Sequence, residues 1–204
     1  MHKSILLALI VLLAGLLAWM LLFWQPADPT QEAHRQIALK EAPKGGDFTL
    51  QGPSGPVSLA DYRGKVVVLY FGYTWCPDIC PTNLSMFSQV MNELDTDEQK
   101  QVQPIFISVD PRRDNIERLL EYTEYFHSGL LGITGSESEV ASVAALYGVV
   151  FRAVNADTEE NYAVDHSADS YIIDRQGDLV DTLPHGTSSE TLLKKIRAHL
   201  SGES

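Results

Sequence analysis

The sequence predicts an α/β fold in which a mixed central sheet is flanked by helices, preceded by a transmembrane helix at the N-terminus. Three observations support this prediction. The chain begins with a long uncharged stretch, an unbroken Val-rich run occupies Val66–Phe71, and strand-like and helical segments alternate after it. Such a run is typical of a strand buried on both faces, and the alternation is typical of a sheet covered by helices.

Twenty residues from Ile5 to Trp24 carry no charge, which matches the roughly 20 apolar residues that a helix needs to cross a bilayer. The stretch is longer than the roughly 7–15 residues of a signal-peptide core, so we interpret residues 1–24 as an uncleaved anchor. Lys3 before the span, with Asp28 and Glu32 after it, favours an N-terminus inside. The remaining chain would then lie outside the cytoplasm. A cleaved signal peptide is the alternative, and it would change the anchoring but not the compartment.

A tether and one domain follow the anchor. Residues 25–45 are mixed and polar, contain Pro26, Pro29 and Pro43, and show no sustained apolar period. Residues 46–204 have the length of a single domain with a sizeable core. The formal net charge of −12 argues against nucleic acid as a partner, because phosphate binding requires basic patches.

Within the domain, short apolar runs between turn residues predict the strands. In chain order these are Phe48–Leu50, Val57–Leu59, Val66–Phe71, Val102–Val109, Leu130–Thr134, Phe151–Val154, Tyr162–Val164, Ser170–Ile173 and Leu179–Leu183. Apolar residues at helical spacing predict the helices, which are Thr82–Leu94, Asn115–Phe126, Glu137–Tyr147 and Thr187–Leu200. A strand–helix–strand unit followed by a hairpin and a closing helix indicates a thioredoxin-like topology.

Both cysteines of the chain, Cys76 and Cys80, lie just after the strand Val66–Phe71. Pro81 fits the first position of the next helix, because its missing N–H is no loss there, so Cys80 is expected near the N-cap. Free N–H groups and the helix dipole at that end favour a thiolate. A structural disulfide would contribute only about 2 kcal/mol across so short a loop. We therefore predict redox or metal chemistry, with inert packing of free cysteines as the alternative.

His166 differs from the other histidines in its place in the predicted topology. It precedes the strand Ser170–Ile173, in the loop that faces the cysteine loop of a thioredoxin-like fold. A thioredoxin-type reductase holds a cis-proline there, whereas this chain has no proline between Pro111 and Pro184. Two sulfurs and one imidazole can therefore converge, and that ligand set suits copper. A surface or core role is the alternative for a lone histidine.

Three motifs carry a resemblance to a known family. They are Phe71-Gly-Tyr-Thr-Trp-Cys-Pro-Asp-Ile-Cys-Pro81, Ser108-Val-Asp-Pro-Arg-Arg-Asp114 and Asp165-His-Ser. With these separations and behind a single N-terminal anchor, the chain closely resembles the Sco/SenC proteins from Gly46 to Leu200. Those are thioredoxin-fold, membrane-tethered copper proteins that are needed to build the CuA centre of cytochrome c oxidase.

The resemblance implies that Cys76, Cys80 and His166 are the ligands of a copper ion, as Cu(I), Cu(II) or both. Asp78, between the cysteines, is expected to tune the site electrostatically, or else to be an acidic residue ahead of a helix. Asp165 is expected to orient His166 through a hydrogen bond, or else to be a solvated loop residue.

The resemblance also implies a function, that of a primarily non-enzymatic metallochaperone that delivers copper to, or helps mature, the CuA centre. Its partners would be an upstream copper donor, a thiol reductant and the apo CuA-bearing subunit, and it would lie in a bacterial inner membrane with its domain in the periplasm. A thiol–disulfide oxidoreductase that reduces the cysteines of the apo copper site is the second hypothesis. Zinc stays open as the metal, because two Cys and one His also suit an open zinc site. A peroxiredoxin-like peroxidase is disfavoured, because the Pro-x-x-x-Thr-x-x-Cys signature is absent.

Overall fold

The structure is a computed structural model, and it describes residues 2–23, 43–154 and 162–202. The first and last residues of the predicted anchor, most of the predicted tether and the turn between the two weak strands lie outside the described residues. The chain divides into two compact units, Met1–Glu41 and Ala42–Ser204.

The described part of the first unit is helix α1, which spans His2–Phe23. Across the described residues, no helix is both long enough and apolar enough to cross a membrane. The anchor predicted over residues 1–24 therefore stays a prediction.

The described part of the second unit alternates strands and helices, as predicted. Its strands are β1 Thr49–Gly52, β2 Gly55–Ser58, β3 Val66–Gly72, β4 Val102–Ser108, β5 Leu131–Ile133, β6 Phe151–Val154, β7 Ala163–His166, β8 Ser170–Ile173 and β9 Leu179–Leu183. Its α-helices are α2 Ile79–Glu93, α3 Thr96–Lys100, α4 Ile116–Phe126, α5 Glu137–Leu146 and α6 Ser189–Ser201. The short helix α3 was not predicted, and a capping box between Asp95 and Glu98 starts it.

Five strands form the central sheet in the order β5-β4-β3-β8-β9. The central strand β3 runs parallel to β4 and antiparallel to β8, while β5 is parallel to β4 and β9 is antiparallel to β8. Every residue of β3 is buried, which explains its unbroken apolar sequence, since a strand covered on both faces needs no polar side. The mixed sheet predicted from the sequence is confirmed.

Aromatic side chains on the two faces of β3 divide the core. Tyr70 lies with its ring centroid 6.3 Å from that of Phe106. Phe71, which points to the opposite face, lies 5.8 Å from the rings of both Tyr147 and Tyr171. The face that carries Tyr70 is the one against which the cysteine region packs.

Strands β6 and β7 form a separate two-stranded sheet. Their pairing joins Phe151 with His166 at one end and Val154 with Ala163 at the other. His166 is therefore the last residue of a strand, where the sequence predicted a loop. The position of the strand along the chain was predicted correctly, but its end was placed too early.

Candidate metal centre

Gly72 ends β3 and allows helix α2 to approach the sheet closely. A Cβ atom added at Gly72 would lie 2.7 Å from the Sγ atom of Cys80 and 2.8 Å from a ring carbon of Phe106. Side chains do not pack at such distances, so a residue without a Cβ is needed here. Gly72 therefore allows the Cys80 sulfur to lie directly against the end of the central strand.

Cys80 lies near the N-cap of α2, as predicted, but it lies within the first turn, and Pro81 is not the first helical residue that the sequence predicted. The helix begins at Ile79 and its N-cap is Asp78, which makes Pro81 the third helical residue. A proline is tolerated there because the first N–H groups of a helix have no acceptor within the helix. The helical backbone places Cys80 in the core, where it is fully buried, whereas Cys76 in the preceding loop is only partly buried.

Cys76, Cys80 and His166 converge. One ligand atom from each of the three side chains lies within 4.8 Å of the others. The Nε2 atom of His166 is 3.3 Å from the sulfur of Cys80, and the backbone N–H of Cys80 donates to the sulfur of Cys76 at 3.5 Å. Both cysteines are free thiols. The β7 strand, the β3–α2 loop and the first turn of α2 thus each supply one donor atom.

The His166 ring is oriented by its second nitrogen. Nδ1 lies 2.9 Å from the backbone carbonyl oxygen of Ser167. A carbonyl oxygen can only accept, so Nδ1 carries the proton and the lone pair of Nε2 points towards Cys80. The edge-to-face rings of Tyr73 and Tyr70, at 5.8 and 6.2 Å, hold the imidazole from the sides. The imidazole is thereby oriented as a ligand, with Nε2 towards the cysteines.

The two sulfurs differ in protonation. The pKa of the Cys76 thiol lies well below its ordinary value, chiefly because it accepts a hydrogen bond from the Cys80 thiol, and further because the backbone N–H groups of Cys80 and Asp78 donate to it. The pKa of the Cys80 thiol is raised, because it donates that bond and is buried. The hydroxyl of Tyr70 lies 3.8 Å from the Cys80 sulfur as a weak donor. Cys76 is therefore the thiolate of the pair at neutral pH.

The two predicted outer carboxylates do not act on the site in the same way. Asp78 is exposed and makes no side-chain cap hydrogen bond, but its backbone N–H helps to lower the pKa of Cys76. The carboxylate of Asp165 forms an exposed ion pair with Arg152 at 3.3 Å. The orienting contact predicted for Asp165 is made instead by the carbonyl group of Ser167.

Asp114 organises the loop ahead of the cysteines, a role that was not predicted. It is fully buried and accepts hydrogen bonds from the Thr74 N–H, the Thr74 hydroxyl and the Ser108 hydroxyl at 2.9, 2.7 and 2.6 Å. Burial raises the pKa of its carboxyl group. Asp114 thereby links two parts of the chain, the loop before Cys76 and the end of β4. A signal was present in the sequence, since Asp110 and Asp114 follow a buried strand directly.

The donor set fits a soft or borderline metal ion. Thiolate and imidazole are ligands of copper and zinc, whereas hard cations such as magnesium prefer oxygen. Two sulfurs and one nitrogen leave a fourth position for a ligand from another molecule. Such an open site is suited to transferring an ion or to exchanging electrons with a partner.

Comparison with known proteins places these features in a family. The profile of the SCO1/SenC family matches residues 37–201. The mitochondrial SCO2 homologue of mouse is 39% identical over 184 residues, which cover 87% of this chain and 72% of the mouse protein.

Two solved structures share the fold. That of Arabidopsis thaliana ScoI with copper bound superposes with a TM-score of 0.71 at 33% identity and covers 78% of this chain and 98% of its own. That of yeast Sco1 with copper bound has a TM-score of 0.70 at 36% identity, covering 77% of this chain and 88% of its own. The predicted thioredoxin-like α/β fold is confirmed.

Proposed function

The chain belongs to the SCO1/SenC family, and from this membership and the convergence of Cys76, Cys80 and His166 we propose that it is a copper-binding metallochaperone. Copper is its cargo, delivered to the CuA centre of cytochrome c oxidase or used in maturing that centre. The observation that carries the proposal is the cluster of three soft or borderline donor atoms within 4.8 Å of one another. The copper in the structures of the Arabidopsis and yeast relatives supports it.

Each of the three side chains has a distinct part in holding the ion. Cys76 is the more exposed sulfur and is already a thiolate, so it can bind an incoming ion without first losing a proton. Cys80 releases its proton when the ion binds, as metal binding by a thiol requires. His166 presents the lone pair of Nε2, because Nδ1 carries the ring proton. The Ser167 carbonyl group holds that tautomer.

An anaerobic copper titration tests the proposal. We expect one copper ion per wild-type chain and no stable binding by Cys76→Ser or Cys80→Ser, because a hard hydroxyl cannot replace a soft thiolate. In His166→Ala, copper affinity should fall by more than the roughly 10–100-fold that is lost when an outer contact of a metal ligand is removed. His127→Ala, which changes a histidine at the end of α4, is the matched control. Retention of copper at wild-type affinity by either cysteine variant would contradict the proposal.

A thiol–disulfide oxidoreductase is the second candidate, and the unequal sulfurs favour it. The partly exposed Cys76 thiolate can attack a partner's disulfide, which forms a mixed disulfide and releases one partner thiolate. Cys80, once deprotonated, then attacks Cys76, which releases the second partner thiolate and leaves a Cys76–Cys80 disulfide. A thiol reductant must supply two electrons to restore the dithiol. The substrate of this reaction would be the oxidised cysteines of the apo copper site, which lie in the partner.

His166→Ala separates the two functions. A metal carrier should lose copper affinity and oxidase maturation while dithiol exchange survives, because exchange depends on thiolate fraction and access. Disulfide reduction should be measured well above the roughly 6.5 reference pKa of histidine, so that loss of imidazolium charge does not enter the comparison. Normal CuA assembly and unchanged copper binding in this variant would favour the reductase.

We also propose the setting in which the domain works. Residues 1–24 would anchor the chain once in a bacterial inner membrane, with the domain in the periplasm, where it meets a copper donor, a thiol reductant and the CuA-bearing subunit. The uncharged stretch from Ile5 to Trp24 supports the anchor. Alkaline carbonate extraction of membranes tests it: the full chain should stay in the membrane pellet, and release into the supernatant would contradict the anchor.

A further inference from the structure

A buried charged cluster lies on the far side of the histidine. Asp110, 3% exposed, accepts hydrogen bonds from Arg113 Nε and from the Tyr162 hydroxyl, each at 2.6 Å. Arg113, 11% exposed, also donates from Nη1 to the Tyr162 carbonyl oxygen at 2.9 Å, and its guanidinium carbon lies 3.6 Å from the centroid of the Tyr162 ring. We call these three residues the clamp.

The clamp attaches the β6–β7 hairpin to the rest of the domain. Over the described residues, this hairpin shares no hydrogen-bonded ladder with the five-stranded sheet, so its placement depends on side-chain contacts and on the chain segments that join it to α5 and to β8. Asp110 and Arg113 follow β4 of the central sheet, whereas Tyr162 immediately precedes β7. The clamp therefore joins the sheet to the hairpin at the start of β7.

The other end of β7 carries His166. Because β7 is only four residues long and is paired with β6 along its length, a shift at Tyr162 would be transmitted to His166. Tyr73 adds a second link: its ring lies 5.8 Å from the Arg113 guanidinium carbon and 5.8 Å from the His166 ring.

We propose that the clamp is a positioning device that holds His166 Nε2 within reach of the Cys80 sulfur. Asp110, Arg113 and Tyr162 are thus positioning residues for the third metal ligand, an inference that rests on the proposed function of the site. The cysteines are carried by the β3–α2 segment, which Asp114 holds separately through Thr74, so a loosened clamp would move the histidine more than the two sulfurs. Burial of an ion pair is costly in itself, and a role in fixing one arrangement accounts for its presence here.

Tyr162→Phe tests the proposal with the smallest change, because it removes the hydroxyl that donates to Asp110 and keeps the ring under Arg113. We expect copper affinity to fall about tenfold, the lower end of the range for outer contacts of metal ligands. In a His166→Ala background the same change should have no further effect, because no histidine is left to position. In the metal-free protein, the ring ¹⁵N resonances of His166 should shift as its contact with Cys80 loosens.

Tyr125→Phe, at a tyrosine that is 84% exposed, is the matched control and should change neither affinity nor the His166 resonances. Wild-type affinity and resonances in Tyr162→Phe would overturn the proposal. So would an equal loss with and without His166, since that would place the effect in the fold. If Tyr162→Phe does not fold, Arg113→Lys carries the same comparison. If the wild-type protein binds no copper, the proposed function fails. The His166 resonances of the metal-free protein still decide whether the clamp positions His166.

Discussion

At the scale of single residues, neighbouring side chains give the two thiols different chemistry. Cys76 accepts hydrogen bonds from several donors and is partly exposed, whereas Cys80 donates one and is fully buried. Their spacing in the sequence predicts a shared site but not this division. The division depends on where α2 begins, because that determines which sulfur enters the core.

Gly72→Ala tests the close approach of helix and strand. The added Cβ would lie 2.7 Å from the Cys80 sulfur, so Cys80 or Phe106 must move. We expect a loss of about 1–3 kcal/mol in the free energy of unfolding, as for overpacked cores, with weaker copper binding. Urea unfolding and copper titration measure the two effects. Gly129→Ala, at an exposed glycine beside the His127 ring, is the control, and equal stability of both variants would contradict the argument.

The convergence of Cys76, Cys80 and His166 was predicted, because the fold class alone determines which two loops face each other. The orientation of His166 was not. Along a strand, successive side chains point to opposite faces, and β7 extends to His166. Asp165 therefore cannot share the face of His166, and its ion pair with Arg152 on the paired strand follows. Which of two neighbouring residues faces the site depends on where the strand ends, and local sequence defines strand ends poorly.

At the scale of elements, Asp181 joins the last helix to the edge of the sheet. Asp181 in β9 accepts hydrogen bonds from Lys195 and from His199 Nε2, both in α6. Burial alone would raise the pKa of Asp181, but these hydrogen bonds outweigh it and hold the pKa below its ordinary value. A depressed carboxyl pKa contributes stability that is present above the unfolded pKa, about 3.9, and is lost as the pH falls through the folded pKa.

Asp181→Asn should therefore lower the free energy of unfolding at pH 7 by about 1 kcal/mol. The difference between variant and wild type should begin to shrink as the pH falls below about 3.9 and reach zero only below the depressed folded pKa, because Asp181 is protonated in both states only there. Urea unfolding of both proteins at a series of pH values measures it. Asp178→Asn, at an exposed turn position before β9, is the control. A difference that does not depend on pH would show that the charge of Asp181 is not the cause.

At the scale of the whole molecule, the mixed sheet and its helices could be predicted because their signals are local. Val66–Gly72 is apolar throughout, and its neighbours alternate with segments of helical period. The separation of β6–β7 from the central sheet could not be predicted, because strand pairing is a non-local choice. The same holds for the clamp, because Tyr162 lies 52 residues along the chain from Asp110.

The N-terminal limit of the folded domain gives a prediction for the whole molecule. The sequence places it at residue 46, but Gly45 is buried and its N–H donates to the Leu146 carbonyl oxygen at 3.0 Å. The Tyr147 hydroxyl donates to the Gly46 carbonyl oxygen at 2.9 Å. The segment before β1 thus satisfies polar groups at the end of α5. Removal of Gly45 and Gly46 would leave those groups without these hydrogen bonds.

A chain that begins at residue 43 should fold alone, because the second compact unit, Ala42–Ser204, includes these contacts. A chain that begins at residue 48 should be less stable by about 1–3 kcal/mol, the cost of buried polar groups left unsatisfied. Urea unfolding followed by circular dichroism compares the two chains, and Tyr147→Phe in the longer one isolates the hydroxyl contribution. Equal unfolding midpoints for both chains would show that residues 43–47 lie outside the cooperative unit, and an unfolded longer chain would contradict independent folding.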